Sequence, residues 1–478
     1  MVTAAAQLRE RLDHPVIDSD GHSLEFVPSV IDRMHAIGGR TAVASFEQTL
    51  AGIEQFRSID EEQRRALGMM RPPWWALPAL NTYDRATAML PRLLRERLDE
   101  FGLDFAVVYP TLGLFALSQD HEEIRRASCR AFNEFYAEAY GEFSERLTPA
   151  ALIPMNHPDE AIDELEYAVG TLGLKTVVLA GHVLRPLPSK TELPRSARWL
   201  DTFGLDSLYD YDPVWAACER LRVSPTFHSS GMGWGSRASG SNYIFNHLGN
   251  FAAAGEATCR ALILSGVPRR YPDLRFAFLE GGVSWACALY ADLLGHWEKR
   301  NRDAIHHYDP AELDRAKLAE LFEQYGSKEF AAHADQLEQS VRVLSNPDED
   351  RRFIDEFAPS GIDCPEQIQE IFERSFAFGC EADDPMNALA FNTRLNPRGA
   401  RLRAIFGSDI GHWDVPDMRD VLTEAYELVE RQLLSEGDFR SFVFDNPISL
   451  WTDTNPEFFT GTIIETPIVG GQSVRSPN

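Results

Sequence analysis

Short apolar runs with strand character recur along this chain, separated by longer stretches whose apolar residues return at helical spacing. The runs are "HPVIDSD" near residue 17, "DFAVVYP" ending at Pro110, "LTPAALIP" ending at Pro154 and "KTVVLAG" ending at Gly181. They continue with "SPTFHSS" around His228, "LRFAFLEGG" around Glu280, "FAFGCEADD" ending at Asp384 and "RAIFGSDIGH" ending at His412. Amphipathic stretches such as "DEAIDELEYAVGTLG" and "VWAACERLR" lie between them. Strand–helix alternation of this kind predicts parallel βα units. Eight of them predict an α/β fold of the closed (β/α)8 TIM-barrel type, distorted by insertions, rather than an open sheet.

Uneven spacing locates the insertions. About 80 residues separate the first two strands, on boundaries read to within a few positions. They include the Pro- and Trp-rich "GMMRPPWWALPALNTYDRATAMLPRLL". A second excursion, "RPLPSKTELPRSARWLDTFGLDSLYDY", reads as a loop before the fifth strand. From residue 286 to about residue 374 the chain reads as charged helix without strand signals. The expectation is one barrel domain over residues 1–478, with insertions at roughly 30–100, 186–212 and 286–374 and a flexible tail from about residue 470.

Composition narrows the function. The chain has 478 residues, 44% of them hydrophobic and 11% aromatic, enough for a large core. Its 73 acidic and 46 basic residues give a formal net charge of -27. That disfavours nucleic acid, whose phosphates select basic surfaces, and anionic membrane surfaces as well. A small-molecule substrate is the expected partner. The six cysteines are scattered without a CxxC pair and read as reduced core thiols of a cytoplasmic protein. No signal peptide pattern opens the chain, and no apolar run reaches the roughly 18 residues of a membrane span.

Candidate chemistry collects at the predicted strand ends. In barrels of this type residues from several strands converge at the C-terminal mouth. Asp20 and His22 end strand one, and their i, i+2 spacing gives both the same face. His228 ends strand five, Glu280 strand six, and Asp409 and His412 strand eight. Each has a plain structural alternative: Asp20 and Asp409 as caps, Glu280 as a turn residue, His228 in a glycine-rich loop. Their coincidence at strand ends favours a metal site. A mixed imidazole and carboxylate set without sulfur suits zinc or manganese, and iron remains compatible. Asp18 and Glu25 read as support beside that set. Glu381, Asp383 and Asp384 follow strand seven, either at the mouth or as a solvated acidic loop. His182 ends strand four, facing substrate or buried in structure. His296, His306 and His307 read as surface residues. No GxGxxG, P-loop or GxSxG motif is present.

With these residues placed, the chain resembles the amidohydrolase superfamily, in the branch that contains aminocarboxymuconate-semialdehyde decarboxylase. The resemblance rests on "VIDSDGH", "FAVVYPTLGL", "YDPVWAACERLRVSPTFHSS", "LILSGVPRRYPDLRFAFLEGGVSW" and "IFGSDIGHWDVPD", spread from strand one to strand eight. It implies a distorted (β/α)8 barrel with one divalent metal at its mouth. Residue by residue, it implies a metal held by Asp20, His22, His228 and Asp409. Strand one is usually HxH in the family. Asp20 takes the first place here, as an acidic residue does in some decarboxylases of the branch, which shifts the expectation toward manganese. A further departure lies on strand six, where "LEGG" puts Glu280 in place of the histidine that is an acid/base candidate in the decarboxylases.

Two activities are compatible with these residues. One is a metal-dependent lyase, a decarboxylase or hydratase type, on a small carboxylated and aromatic or cyclic substrate, with Asp409 or Glu280 moving the proton and His228 at the reacting centre. The other is a hydrolase acting through metal-activated water. Arg71, Trp74, Trp234, His182 and His412 are the candidate substrate contacts. A homodimer is the default assembly.

Overall fold

The computed structural model describes residues 2–73, 79–187, 198–229 and 239–465. Ten strands occur among them: β1 (Ile17–Ser23), β2 (Phe105–Pro110), β3 (Leu147–Ile153), β4 (Thr176–Leu179), β5 (Val183–Pro186), β6 (Arg198–Asp201), β7 (Pro225–Phe227), β8 (Phe276–Phe278), β9 (Phe376–Glu381) and β10 (Arg403–Gly407). Eight form one parallel sheet in the order β1-β2-β3-β4-β7-β8-β9-β10. All eight predicted runs are strands of this sheet. Its first and last strands meet. The His22 N–H donates to the Ile410 carbonyl at 3.0 Å and the Asp409 N–H to the Asp20 carbonyl at 2.9 Å. A nearly closed TIM-type barrel results.

The local sequence explains the elements. β1, β2 and β3 are buried at every position, as parallel strands must be when side chains fill one face and helices cover the other. Phe227, Phe278 and Phe378, on neighbouring strands, stack with centroids 5.4 and 6.0 Å apart. The helix Pro91–Phe101 begins with proline, which has no N–H to leave unpaired, and ends at Gly102 with φ 73°. That left-handed cap turns the chain into β2.

Among the described residues, four helices, Val27–Ser58, Glu61–Leu67, Thr82–Met89 and Pro91–Phe101, occupy the interval between β1 and β2. The stretch read as a loop before the fifth barrel strand instead contains an antiparallel ribbon, with Val183 opposite Asp201 and Pro186 opposite Arg198. The reason is an inverted alternation. Leu184 points outward and Arg185 inward. The buried Arg185 is satisfied by Asp201 at 2.9 Å and the Tyr211 hydroxyl at 2.7 Å. Hydrophobic patterning does not find a strand whose inward residue is arginine.

The chain divides into two compact units, residues 1–291 with 369–478, and residues 292–368. The first holds the barrel. The second is built of short helices, Arg315–Tyr325 the longest lying wholly within it, and none of residues 306–356 is buried. Five of the six cysteines are buried and none is paired. Among the described residues no helix is long and apolar enough to cross a membrane.

Candidate metal centre at the barrel mouth

The seam between β1 and β10 builds the site. β1 carries a register irregularity between Asp18 and Gly21, which re-aims the side chains on either side of it. Asp18 turns away from the mouth. It accepts hydrogen bonds from the Ser408 N–H (2.9 Å), the Ser408 hydroxyl (2.6 Å) and the Asp20 N–H (3.1 Å), tying the first strand to the last. Burial raises its pKa to about 6. Gly407 lets the strands approach: a Cβ there would lie 2.8 Å from the Asp20 Cβ. Glu25 supports from the side, accepting the Leu112 and Gly113 N–H groups at 2.9 Å each.

Asp20 and His22 then face the same point. His22 Nε2 lies 3.6 Å from Asp20 Oδ1, 3.5 Å from Asp409 Oδ1 and 3.2 Å from His228 Nε2. His228 follows β7, and its Nδ1–H donates a hydrogen bond to the Ser229 carbonyl at 2.7 Å. Burial lowers the pKa of both imidazoles, with Asp20 opposing the shift at His228. A neutral His228 that donates through Nδ1 presents a lone pair at Nε2. That lone pair faces Glu280 Oε2 at 2.9 Å. His412 stacks on His22 with centroids 3.9 Å apart, sets Nδ1 2.6 Å from Asp409 Oδ1 and Nε2 3.2 Å from the Thr111 hydroxyl, and has its pKa lowered by burial to about 4.

Backbone strain marks two of these positions. Glu280 has φ 57° and Asp409 φ 49°, both in the left-handed region that costs a non-glycine residue roughly 1–3 kcal/mol. Each is the turn that carries its carboxyl from a strand end into the mouth.

Burial pushes the Asp20, Glu280 and Asp409 carboxyls well above the usual range; neighbouring carboxylates push them further, while at Asp20 His228 opposes the shift. Glu381, at the end of β9, is raised to about 9 by burial, then by Glu280, Asp414, Asp383 and Asp384. No arginine or lysine is among the principal charges acting on these groups. Asp20 Oδ1 is buried and makes no hydrogen bond among the described residues. The donor set therefore fits a divalent cation: neutral imidazole nitrogens and carboxylate oxygens converge with no protein cation to balance them. The converging ligand atoms fall into overlapping groups, Asp20 with His22 and His228, and His22 with Glu280, Asp409 and His412, each within 4.8 Å.

The other candidates separate. Arg71 gives its side chain to the Ser241 carbonyl at 3.1 Å and its N–H to the Ser239 carbonyl at 2.7 Å. His182 is half-buried outside the converging groups, with a pKa lowered by desolvation to about 4. His296, His306 and His307 are exposed. Trp74 and Trp234 lie outside the described residues. Sequence reasoning missed Asp414, which joins Glu280 and Glu381 in a third convergent group. Its signal was present: it stands two residues past His412 in "GHWDVPD". Also missed was an aromatic wall, from Phe251 beside His228 (5.4 Å) through His247 (5.6 Å) to the part-exposed Trp413 (5.5 Å). Tyr243 closes it 6.5 Å from Trp413.

Comparison with known proteins agrees with this architecture. Residues 73–329 match the family model described as amidohydrolase. An amidohydrolase from Mycobacterium avium subsp. paratuberculosis K-10 superposes over 92% of this chain and 100% of its own, with a TM-score of 0.51 and 18% identity. A dihydroxybenzoic acid decarboxylase from Polaromonas sp. JS666, solved with manganese and the inhibitor 2-nitroresorcinol, covers 94% of this chain and 99% of its own, with a TM-score of 0.50 and 14% identity. At these identities the likeness is one of fold. The family match spans more than half the sequence, and the chain belongs to the amidohydrolase family of enzymes.

Proposed function

We propose that this chain is a metal-dependent decarboxylase-type lyase acting on a small carboxylated aromatic substrate. The observation that carries the reading is that Asp20 Oδ1, Asp409 Oδ1 and His228 Nε2 all lie within 3.6 Å of the buried His22 Nε2, without a protein cation among them. Those four residues would hold one divalent ion, manganese by analogy with the Polaromonas enzyme and zinc by donor chemistry. The ion supplies a Lewis acid for substrate oxygens.

The chain's own groups do the rest. The edge-to-face wall of Phe251, His247, Trp413 and Tyr243 offers an aromatic ring a surface leading from His228 to solvent. Asp409 moves the proton, with His412 Nδ1 2.6 Å away to take or return it. His412 in turn is oriented by Thr111 and by its stack on His22. Asp18 and Glu25 hold the strand and loop that carry these groups. The chain works as one barrel domain, with insertions at roughly 30–100, 186–212 and 286–374. Substrates are small molecules, and the assembly is a homodimer.

Hydrolysis is the second reading, because Glu280 replaces the strand-six histidine. Incubation with manganese and a panel of ortho-hydroxybenzoates in oxygen-labelled water separates the two. Carbon dioxide release without label in the aromatic product supports the lyase. Solvent oxygen incorporated with bond cleavage and no carbon dioxide overturns it.

A further inference from the structure

We propose that Asn246 is a positioning residue for substrate recognition: it fixes where Tyr243 and His247 meet an aromatic ring by fastening their helix to residues 64–71, in the insertion between β1 and β2. This role rests on the aromatic surface proposed above and deepens it.

The helix Tyr243–His247 has five residues, too few to hold itself in water. Ile244 and Phe245 are 62% and 54% exposed, and of the five residues only Asn246 is buried. The helix therefore sits where Asn246 is held. Asn246 Nδ2 donates to the Arg71 carbonyl at 3.0 Å and to the Ser239 carbonyl at 2.9 Å. Its Oδ1 accepts the Ser239 N–H at 2.5 Å. Both amide donors and the acceptor are thus used inside a dry contact, the arrangement in which a lost hydrogen bond costs most. Further bonds join the same two segments. The Arg71 N–H donates to the Ser239 carbonyl at 2.7 Å, the Arg71 guanidinium to the Ser241 carbonyl at 3.1 Å, and Arg64 Nε to the Gly240 carbonyl at 2.7 Å.

Two rings of the wall ride on this anchor. Tyr243 stands one turn before Asn246 and His247 directly after it, with ring centroids 5.4 Å apart. Both rings meet Trp413, at 6.5 and 5.5 Å, and His247 continues through Phe251 to His228. Tyr243 also lies within electrostatic reach of the mouth: burial, then Asp414 and Glu280, raise its hydroxyl to about 12. Ring contacts are short-ranged, and a gap of about 0.5–1 Å forfeits a quarter to a half of each one. A small shift of this helix therefore weakens the grip on an aromatic ring, while the carboxylates and imidazoles at the strand ends stay in place. Asn246 acts on substrate through two rings, without touching it.

The test uses the full chain loaded with Mn²⁺ and, as probe, 2-nitroresorcinol, an aromatic with no carboxylate to lose, titrated by its absorbance. Asn246→Asp keeps the size and the Oδ1 acceptor but sets a carboxylate oxygen against the Arg71 and Ser239 carbonyls. Its Kd for the probe is expected to rise about tenfold, with unchanged manganese per folded chain. Trp413→Leu breaks the wall itself and weakens binding. In that background Asn246→Asp is expected to change Kd by less than about twofold, a coupling that a merely structural role does not produce. If Asn246→Asp does not fold, Arg71→Ala, which removes only the guanidinium bond to Ser241, carries the same cycle with a rise of about threefold. An unchanged Kd in the folded variant, or the same rise in both backgrounds, overturns the positioning role and leaves the wall standing. No binding by the unaltered loaded chain, or undiminished binding by Trp413→Leu, overturns the wall and this role with it.

Discussion

Two regions of this molecule bury carboxylates, and they treat them in opposite ways. On the outer ring of helices, Glu160 is met by Arg125 through two bonds of 2.6 and 2.8 Å, Glu164 by Arg130 at 2.9 Å, and Asp84 by Arg97 at 2.7 Å. At the barrel mouth, Asp20, Glu280 and Asp409 are equally buried and meet only imidazoles and one another. The ring balances its charges within the chain, and the mouth leaves its balance to something from outside. Burial of charge alone therefore does not mark a site here; burial without a counter-charge does.

The sharpest way to break the contrast is Asp409→Ala. It removes the proton carrier and one ligand, and kcat/KM is expected to fall on the order of 10³-fold, together with loss of bound metal. Steady-state kinetics and metal analysis check it, and full retention of both refutes the site. Next is Arg125→Ala, which strands Glu160 in the ring. Breaking a buried pair of this kind costs about 3–5 kcal/mol, so the urea midpoint falls while metal content per folded chain stays constant. Asp18→Asn is milder. It weakens the clasp on Ser408 and is expected to lower metal affinity about 10–100-fold, read by competition with a chromophoric chelator.

The smallest effect concerns pH. Asp18 and Glu381 bind protons more tightly folded than unfolded, with folded pKa values of about 6 and about 9. Their stabilising contribution is complete at acid pH and is lost as pH rises through those values. The metal-free protein should therefore lose a few degrees of Tm between pH 5 and pH 9. A bound divalent ion favours the ionised carboxylates, so the loaded protein should flatten or reverse that slope and release protons on binding. A pH-independent Tm in the metal-free form would remove the electrostatic half of the comparison.

Much of this was legible in the sequence, for identifiable reasons. All eight barrel strands announced themselves because a parallel barrel strand is apolar on both faces. The converging residues were legible because each ends such a run, and the turn after a barrel strand has one place to go. What escaped depended on contacts distant in sequence. The ribbon of β5 and β6 hid because Arg185 points inward to a partner 16 residues away. Asp414 and the wall of Tyr243, His247 and Trp413 sit beyond strand ends, where periodicity carries no information about which loop folds over which.

The Asp18–Ser408 clasp joins residues 390 positions apart. A chain emerging from the ribosome therefore owns its first two candidate ligands from the start yet cannot assemble the centre until the eighth strand has arrived. Only a chain that has closed its last strand onto the first brings Asp20 and His22 to Asp409.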